Sequence, residues 1–325
     1  LTKILVIRFS SIGDIVLTSP IVRCLKKQLQ GAEVHYLTKR AFLPVLENNP
    51  NIDKLYSIEK DVAEVIEELK KEKYDFVVDL HHNLRTMQVK RGLGIKSASF
   101  PKLNIEKWLM VNLKVNRLPD IHIVDRYFTA VAPLNVKSDN AGLDYFIPAK
   151  DEVNIGNLPE SHRKGYIAFV IGAKHYTKQL PAHKIISICK KINAPVVILG
   201  GPEDAAKAKE IEGAVGANIY NAVGKNNINQ SASLIKQARK VITHDTGLMH
   251  IASAFKKDII SVWGNTIPGF GMYPYLPGPG SHIMEVKNLS CRPCSKLGYK
   301  ACPKKHFNCM EKQDEEQIAK NVRPL

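Results

Sequence analysis

The sequence has no apolar run near the ~20 residues that a membrane-spanning helix needs. It has no internal repeat and no low-complexity segment. Two common nucleotide-binding signatures are also missing. No G-x-G-x-x-G follows the first strand-like run, and no G-x-x-x-x-G-K-[ST] occurs anywhere. Acidic residues are scarce: 31 Asp and Glu stand against 47 Lys and Arg, a formal charge of +16. That imbalance predicts attraction to polyanions, whether nucleic acid, an anionic membrane surface or a phosphorylated substrate. The opening "LTKILVIRFSSIGD" is too short and too soon interrupted for a secretory signal. It reads as a buried first strand, and a cytoplasmic location is expected.

At 325 residues and 44% hydrophobic content, the chain is long and apolar enough for two globular domains. Strand-like and helix-like stretches alternate. "KILVIRF", "EVHYLT" and "FVVDL" read as strands in the first half. Ile15, Val22, Leu25 and Leu29 form one helical face, with Gly31 as its stop. Pro20 fits either a first-turn position after a Ser19 cap or a kink in a helix that starts near Gly13. "DVAEVIEELKKEKY" reads as a second helix.

The second half repeats the rhythm. "YIAFVIG", "APVVILGG", "NIYNAVG", "KVITHD" and "DIISVWG" read as strands separated by helical stretches. Strands spaced this way imply parallel sheets with right-handed crossovers. Residues 146–165 read as a linker, and the tail from about 265 as irregular with a short terminal helix. The expected architecture is α/β: two doubly wound domains, 1–150 and 160–325, facing a cleft.

In open α/β sheets ligands bind beyond the carboxyl ends of the strands. That rule singles out "SSIGD", "HHNLR", "GAKHYTKQLP", "GGPED" and "HDTGLMH". Asp245, Thr246 and Gly247 lie between a strand and a helix, where free amides and the helix dipole suit a phosphate. His250 follows on the first turn. Lys174 and Lys178 offer point charges for a phosphate, and Glu203 can accept hydrogen bonds from ribose hydroxyls. Each also has an ordinary reading, as a cap, a packed histidine or a solvated lysine. Asp14 is either a helix-start residue or a placed base.

"KILVIRFSSIGDIVLTSP" resembles the N-terminal motif of the ADP-heptose lipopolysaccharide heptosyltransferases, glycosyltransferase family 9. "DTGLMHIASAF" followed by "SVWGNTIPG" is similar to that family's second signature. The resemblance implies a GT-B fold of two Rossmann-like domains, with acceptor on the first and nucleotide sugar on the second. It implies inverting transfer of a heptose without a catalytic metal. By position, Asp14 becomes the base, with Ser10, Ser11 and Gly13 on the acceptor side. Lys178 holds the donor diphosphate and Glu203 the ribose. Asp245, Thr246, Gly247 and Leu248, with His250, line the donor pocket. Gly172 and Ala173 replace the family's frequent pair of hydroxyl residues, so the backbone takes over that contact. "DLHHNLRT" departs from the more usual Gln-containing form, which implies a different acceptor.

Residues 84–117 hold eight lysines and arginines against Glu106 alone. Arg85 and Arg91 are the candidates there for an anionic, lipid-linked or core glycan acceptor, and the stretch would be drawn to an anionic inner leaflet. Four cysteines cluster as Cys291-x2-Cys294-x7-Cys302-x6-Cys309, with His306 nearby. Structural zinc and reduced thiols both fit that spacing in a cytosolic chain, and disulfides are the third option. A basic, zinc-stapled nucleic-acid-binding protein and another GT-B enzyme, such as a nucleotide-sugar epimerase, are the competing readings. The first leaves the strand-end loops unexplained, so no specific nucleic acid is expected as a partner.

Overall fold

The structure is a computed structural model that describes residues 2–323. The chain divides into two compact units. Unit 1 is Leu1–Lys102 with Ile121–Phe146, and unit 2 is Leu103–Asp120 with Ile147–Leu325.

Unit 1 carries a parallel sheet of β1 (Lys3–Ile7), β2 (Glu33–Lys39), β3 (Lys54–Ile58), β4 (Phe76–Asp79) and β5 (Ser97–Ser99). Its order is β3-β2-β1-β4-β5. β1 is central, paired to β2 on one side and β4 on the other. Ile4 to Ile7 are fully buried, so this strand reads as an unbroken apolar run. Leu5, Ile7, Leu37, Ile58 and Val77 pack with Leu69 and Val89 into one core layer.

Unit 2 carries β6 (Ile167–Val170), β7 (Val196–Leu199), β8 (Ile219–Asn221), β9 (Lys240–His244), β10 (Ile259–Trp263) and β11 (His282–Glu285). Its order is β11-β10-β9-β6-β7-β8, again all parallel. Apolar layers cover both faces, one built around Ile185, Ile188 and Ile318, the other around Leu234, Met249 and Trp263. In each sheet the strand order reverses at one place, between β1 and β4 and between β6 and β9. Those are the topological switch points at which doubly wound sheets bind ligands.

Several local expectations need correction. The first helical stretch is two helices, Ile12–Val16 and Ser19–Gln28. Pro20 sits in the opening turn of the second, but Thr18 rather than Ser19 holds the cap position. The Thr18 hydroxyl instead donates to the Ile15 carbonyl at 2.7 Å, closing the first helix. The stretch from 61 to 74 is a short 3-10 turn, Val62–Glu64, and a helix, Ile66–Lys71. The Glu64 carboxylate accepts from the amides of Glu59, Lys60 and Asp61, which closes a separate turn there.

Residues 146–165 are no free linker. Asp151 accepts from Asn227 and Asn229, and the Val153 amide donates to Ser233. β3, β5, β11 and the helices Leu84–Leu93 and Asn104–Asn112 add to the expected elements. No helix among the described residues is long and apolar enough to cross a membrane.

Candidate functional site

Each switch point holds a polar cluster. In unit 1 the chain leaves β1 through Arg8 and Phe9 and enters the helix Ile12–Val16. Asp14 is the third residue of that helix. Its Oδ2 accepts from the Ser11 amide at 3.0 Å and the Ser11 hydroxyl at 2.7 Å. Its Oδ1 pairs with the Arg8 guanidinium at 2.6 Å. Arg8 is itself fixed, donating to the carbonyls of Ser10 at 2.8 Å and Leu80 at 2.5 Å. Asp14 is therefore a helix-start residue and a held carboxylate at once, with a side chain still 20% exposed. Ser10, Ser11 and Gly13 all belong to the same turn.

β4 ends at Asp79, which is fully buried. It accepts from the amides of His81 at 3.1 Å and His82 at 2.7 Å and pairs with Lys90 at 2.9 Å. Burial alone would raise its pKa, but Lys90 and the His82 amide outweigh that and hold it below the usual value. The loop after β4 is thus fastened. His81 packs edge-on against Phe9 at 5.4 Å. Its imidazole is pushed down to about 4, by burial first and then by Arg8 and Lys102, against the opposing pull of Asp14 and Asp79.

An unfolded histidine titrates near ~6.5. Between those values the unfolded chain holds the extra proton, so stability falls as pH drops from 6.5 towards 4. We expect His81→Gln to flatten the pH slope of the unfolding free energy in that window, measured by urea titration. An unchanged slope would contradict this. The slope will not vanish, because His244 is pushed down to about 3 by burial and then by Lys207.

The structure separates the two candidate arginines. Both are exposed on the helix Leu84–Leu93. Arg85 lies in its first turn, near the strand end, while Arg91 is about 9 Å further along the axis.

In unit 2 the loops after β6 and β9 meet. Lys178 Nζ lies 2.5 Å from Asp245 Oδ2, and the same oxygen accepts from the Thr266 hydroxyl at 3.0 Å. Thr246 occupies the cap position of the helix Gly247–Ala254, but its side chain makes no capping hydrogen bond. Asp245 to Leu248 are half-buried, whereas the strand before and the helix after them are buried. A partly open helix start with no side-chain cap beside a lysine can receive an anion. Lys174 is exposed, and Lys178 is the lysine that pairs with Asp245. His250 is buried, only 2% exposed. Glu203 is exposed and folds back over Gly201, where a Cβ would meet its carboxylate at 2.3 Å.

Four residues absent from the expectation complete this cluster. Asp204 is buried and accepts from the Gly201 amide at 3.0 Å. Lys207 donates to the Ile171 carbonyl at 3.1 Å and to Gln179 at 2.5 Å. Gln179 in turn donates to the Ala173 carbonyl at 2.6 Å. Thr266 supplies the contact to Asp245. Asp204 is the cap residue of the helix Ala205–Val215 and Lys207 its third residue, so the three-residue spacing puts both at one helix start.

This network explains Gly172. A Cβ there would stand 1.9 Å from Asp204 Oδ2. Gly172→Ala should therefore cost roughly 1–3 kcal/mol and lower Tm by a few degrees in calorimetry. An unchanged Tm would show that Asp204 is free to move away.

The cysteines of the tail are free thiols. The Cys309 thiol is pushed up to about 12, by burial first and then by Cys294, with Cys302 and Cys291 adding to it. Cys291 Sγ lies 3.9 Å from His306 Nε2. Among the described residues no three of these sulfurs lie within 4.8 Å of one another. Among the described residues the one His, Cys, Asp and Glu trio with ligand atoms within 4.8 Å is Glu33, His35 and Glu72. Lys3 and Lys54 already neutralise Glu72 there, at 2.7 and 2.5 Å, so that trio is an ion-pair network.

Two doubly wound units with parallel sheets, each with a polar cluster at its switch point, are the architecture of a GT-B protein. The chain belongs to glycosyltransferase family 9 (heptosyltransferase), whose model matches residues 62–304. It is a glycosyltransferase. Asp14 lies ahead of the matched span. The chain is 25% identical over 288 residues to lipopolysaccharide heptosyltransferase 1 of Campylobacter coli, covering 81% of this chain and 84% of that one. A family 9 glycosyl transferase from Veillonella parvula superposes with a TM-score of 0.79 at 22% identity, covering 99% of this chain and 96% of the other. The E. coli ADP-heptose LPS heptosyltransferase II superposes with a TM-score of 0.72 at 18% identity, covering 99% and 100%.

Proposed function

We propose that this enzyme moves a heptose from ADP-heptose to a lipopolysaccharide core or similar glycan, with inversion at the anomeric carbon. The observation that carries the reading is the division of chemistry between the two switch points. Unit 1 offers a held carboxylate, and unit 2 offers a cation beside a helix start without a side-chain cap. The names of the relatives support the substrate class.

In the proposed step an acceptor hydroxyl oxygen attacks the anomeric carbon. The new glycosidic bond forms as the bond to the diphosphate oxygen breaks. The hydroxyl proton passes to Asp14, and ADP leaves with the electron pair. Lys178 and the amides at 247–248 meet the charge that grows on the diphosphate. Asp245, Thr246, Gly247 and Leu248 line the donor pocket, Gly172 and Ala173 offer backbone, and Glu203 serves the ribose. Ser10, Ser11, Gly13 and Arg85 face the acceptor. His250 is a buried residue of the helix Gly247–Ala254, and Arg91 lies further from the strand end than Arg85. The enzyme works at the cytoplasmic face of the inner membrane.

The test is a thermal-shift panel of nucleoside diphosphates and their sugars. ADP and ADP-heptose should stabilise the protein most. Equal or greater stabilisation by UDP or GDP would contradict the proposed donor.

The cysteine group suits a structural metal, with Cys291, Cys294, Cys302 and Cys309 as thiolate ligands. Binding would draw the sulfurs together and release their protons. Zinc should then raise Tm in the parent protein and leave a Cys294→Ser, Cys302→Ser variant unmoved. An equal response in both would exclude the site.

A further inference from the structure

We infer that unit 2 docks on an anionic lipid bilayer through an apolar and basic face made by residues 103–120 and the tail loop 287–305. The inference rests on the reading above for its purpose, since a lipid-linked acceptor lies at a membrane. The helix Asn104–Asn112 has no buried residue, although five of its nine are apolar. Ile105 is 74% exposed and Trp108 57%, and their three-residue spacing puts them on one face. Leu113 follows at 57% and Val115 at 42%. The tail loop adds Leu297 at 60% and Tyr299 at 40%. Lys114 ties the two segments together, donating to the carbonyls of Pro293 at 2.6 Å and Cys291 at 3.4 Å.

The charge on this face is mainly basic: 103–120 holds Lys107, Lys114 and Arg117 against Glu106 and Asp120. From 286 to 306 there are six basic residues and no acidic one. Arg292 is consumed by Glu285, but Lys287, Lys296, Lys300, Lys304 and Lys305 are exposed. Apolar surface of this extent in water marks an interaction site. Anionic headgroups attract the lysines, while their stems, with Trp108 and Tyr299, suit the boundary between headgroups and acyl chains. A nucleic acid would use the lysines but gain nothing from Ile105, Leu113 or Leu297. A second copy would bring like charge against like.

The chain has two tryptophans, and Trp263 is only 1% exposed. Emission changes on adding vesicles therefore report Trp108. With phosphatidylglycerol–phosphatidylethanolamine vesicles, the protein should sediment and its emission should shift to shorter wavelength. Both effects should weaken in high salt and be absent with phosphatidylcholine. Ile105→Ser with Trp108→Ser should reduce sedimentation about tenfold, with stabilisation by ADP unchanged. Lys296→Glu with Lys300→Glu should also weaken binding, and here Trp108 remains to report it. Sedimentation without an emission change would overturn the inference, as would no sedimentation at all. An emission shift with duplex DNA at physiological salt, or on concentrating the protein alone, would overturn it in favour of a nucleic acid or a second copy. Loss of ADP stabilisation in the parent protein would instead sink the transfer reading and leave this face unaffected.

Discussion

Asp14→Asn should lower the transfer rate about 10²–10⁴-fold while ADP binds as before. The substitution is chosen for what it keeps. Asparagine can still accept from the Ser11 amide and hydroxyl, now at 3.0 and 2.7 Å, so the helix start stays closed. What it loses is the capacity to take a proton and the 2.6 Å pair with Arg8. Asp14→Ala removes the cap as well and should add about 1 kcal/mol of destabilisation, read by urea unfolding. If Asp14 were only a cap, the asparagine variant would be nearly fully active.

Lys178→Ala should weaken ADP binding roughly 10–150-fold, the range expected for a lost charge-assisted contact. The loss has two parts. The diphosphate loses its cation, and the Asp245 carboxylate, 2.5 Å from Lys178 in the parent, is left facing it with the Thr266 hydroxyl as partner. The second part is reversible. Asp245→Asn placed in the Lys178→Ala background should recover some affinity by removing the repulsion, in a calorimetric titration. Asp245→Asn alone should show no such gain. If the two changes were additive, the lysine and the aspartate would not share a site.

The central strands were legible because burial on both faces leaves an unbroken apolar run. β1, β6, β9 and β10 all show it. β5 escaped because Ser97–Ser99 carries no apolar signal, and β11 because it is an edge strand whose apolar residues are two among polar ones and not buried. β3 is an edge strand with only alternate residues buried.

The site followed the same logic. The loops containing Asp14, Lys178 and Asp245 could be found because a strand end is a place that sequence marks. Gln179 and Lys207 meet across 28 positions of chain, and Asp245 and Thr266 across 21, so no local pattern announces either pair. That Asp14 is a helix-start residue and a held carboxylate at once was hidden for a related reason. A solvated capping acid and a held one use the same residue type at the same position, and the Arg8 pair that tells them apart lies outside the helix. Within the expected donor set, burial supplied what residue type could not: His250 is only 2% exposed, whereas Lys178 reaches the Asp245 carboxylate.

The account turns on where the nucleotide binds. The most direct measurement is a structure of the enzyme with ADP. The diphosphate should lie against Lys178 and the amides of Gly247 and Leu248, beyond β6 and β9, with the loop holding Asp14 untouched by nucleotide. A diphosphate bound beyond β1 and β4, beside Arg8 and Asp14, would contradict the assignment of both clusters.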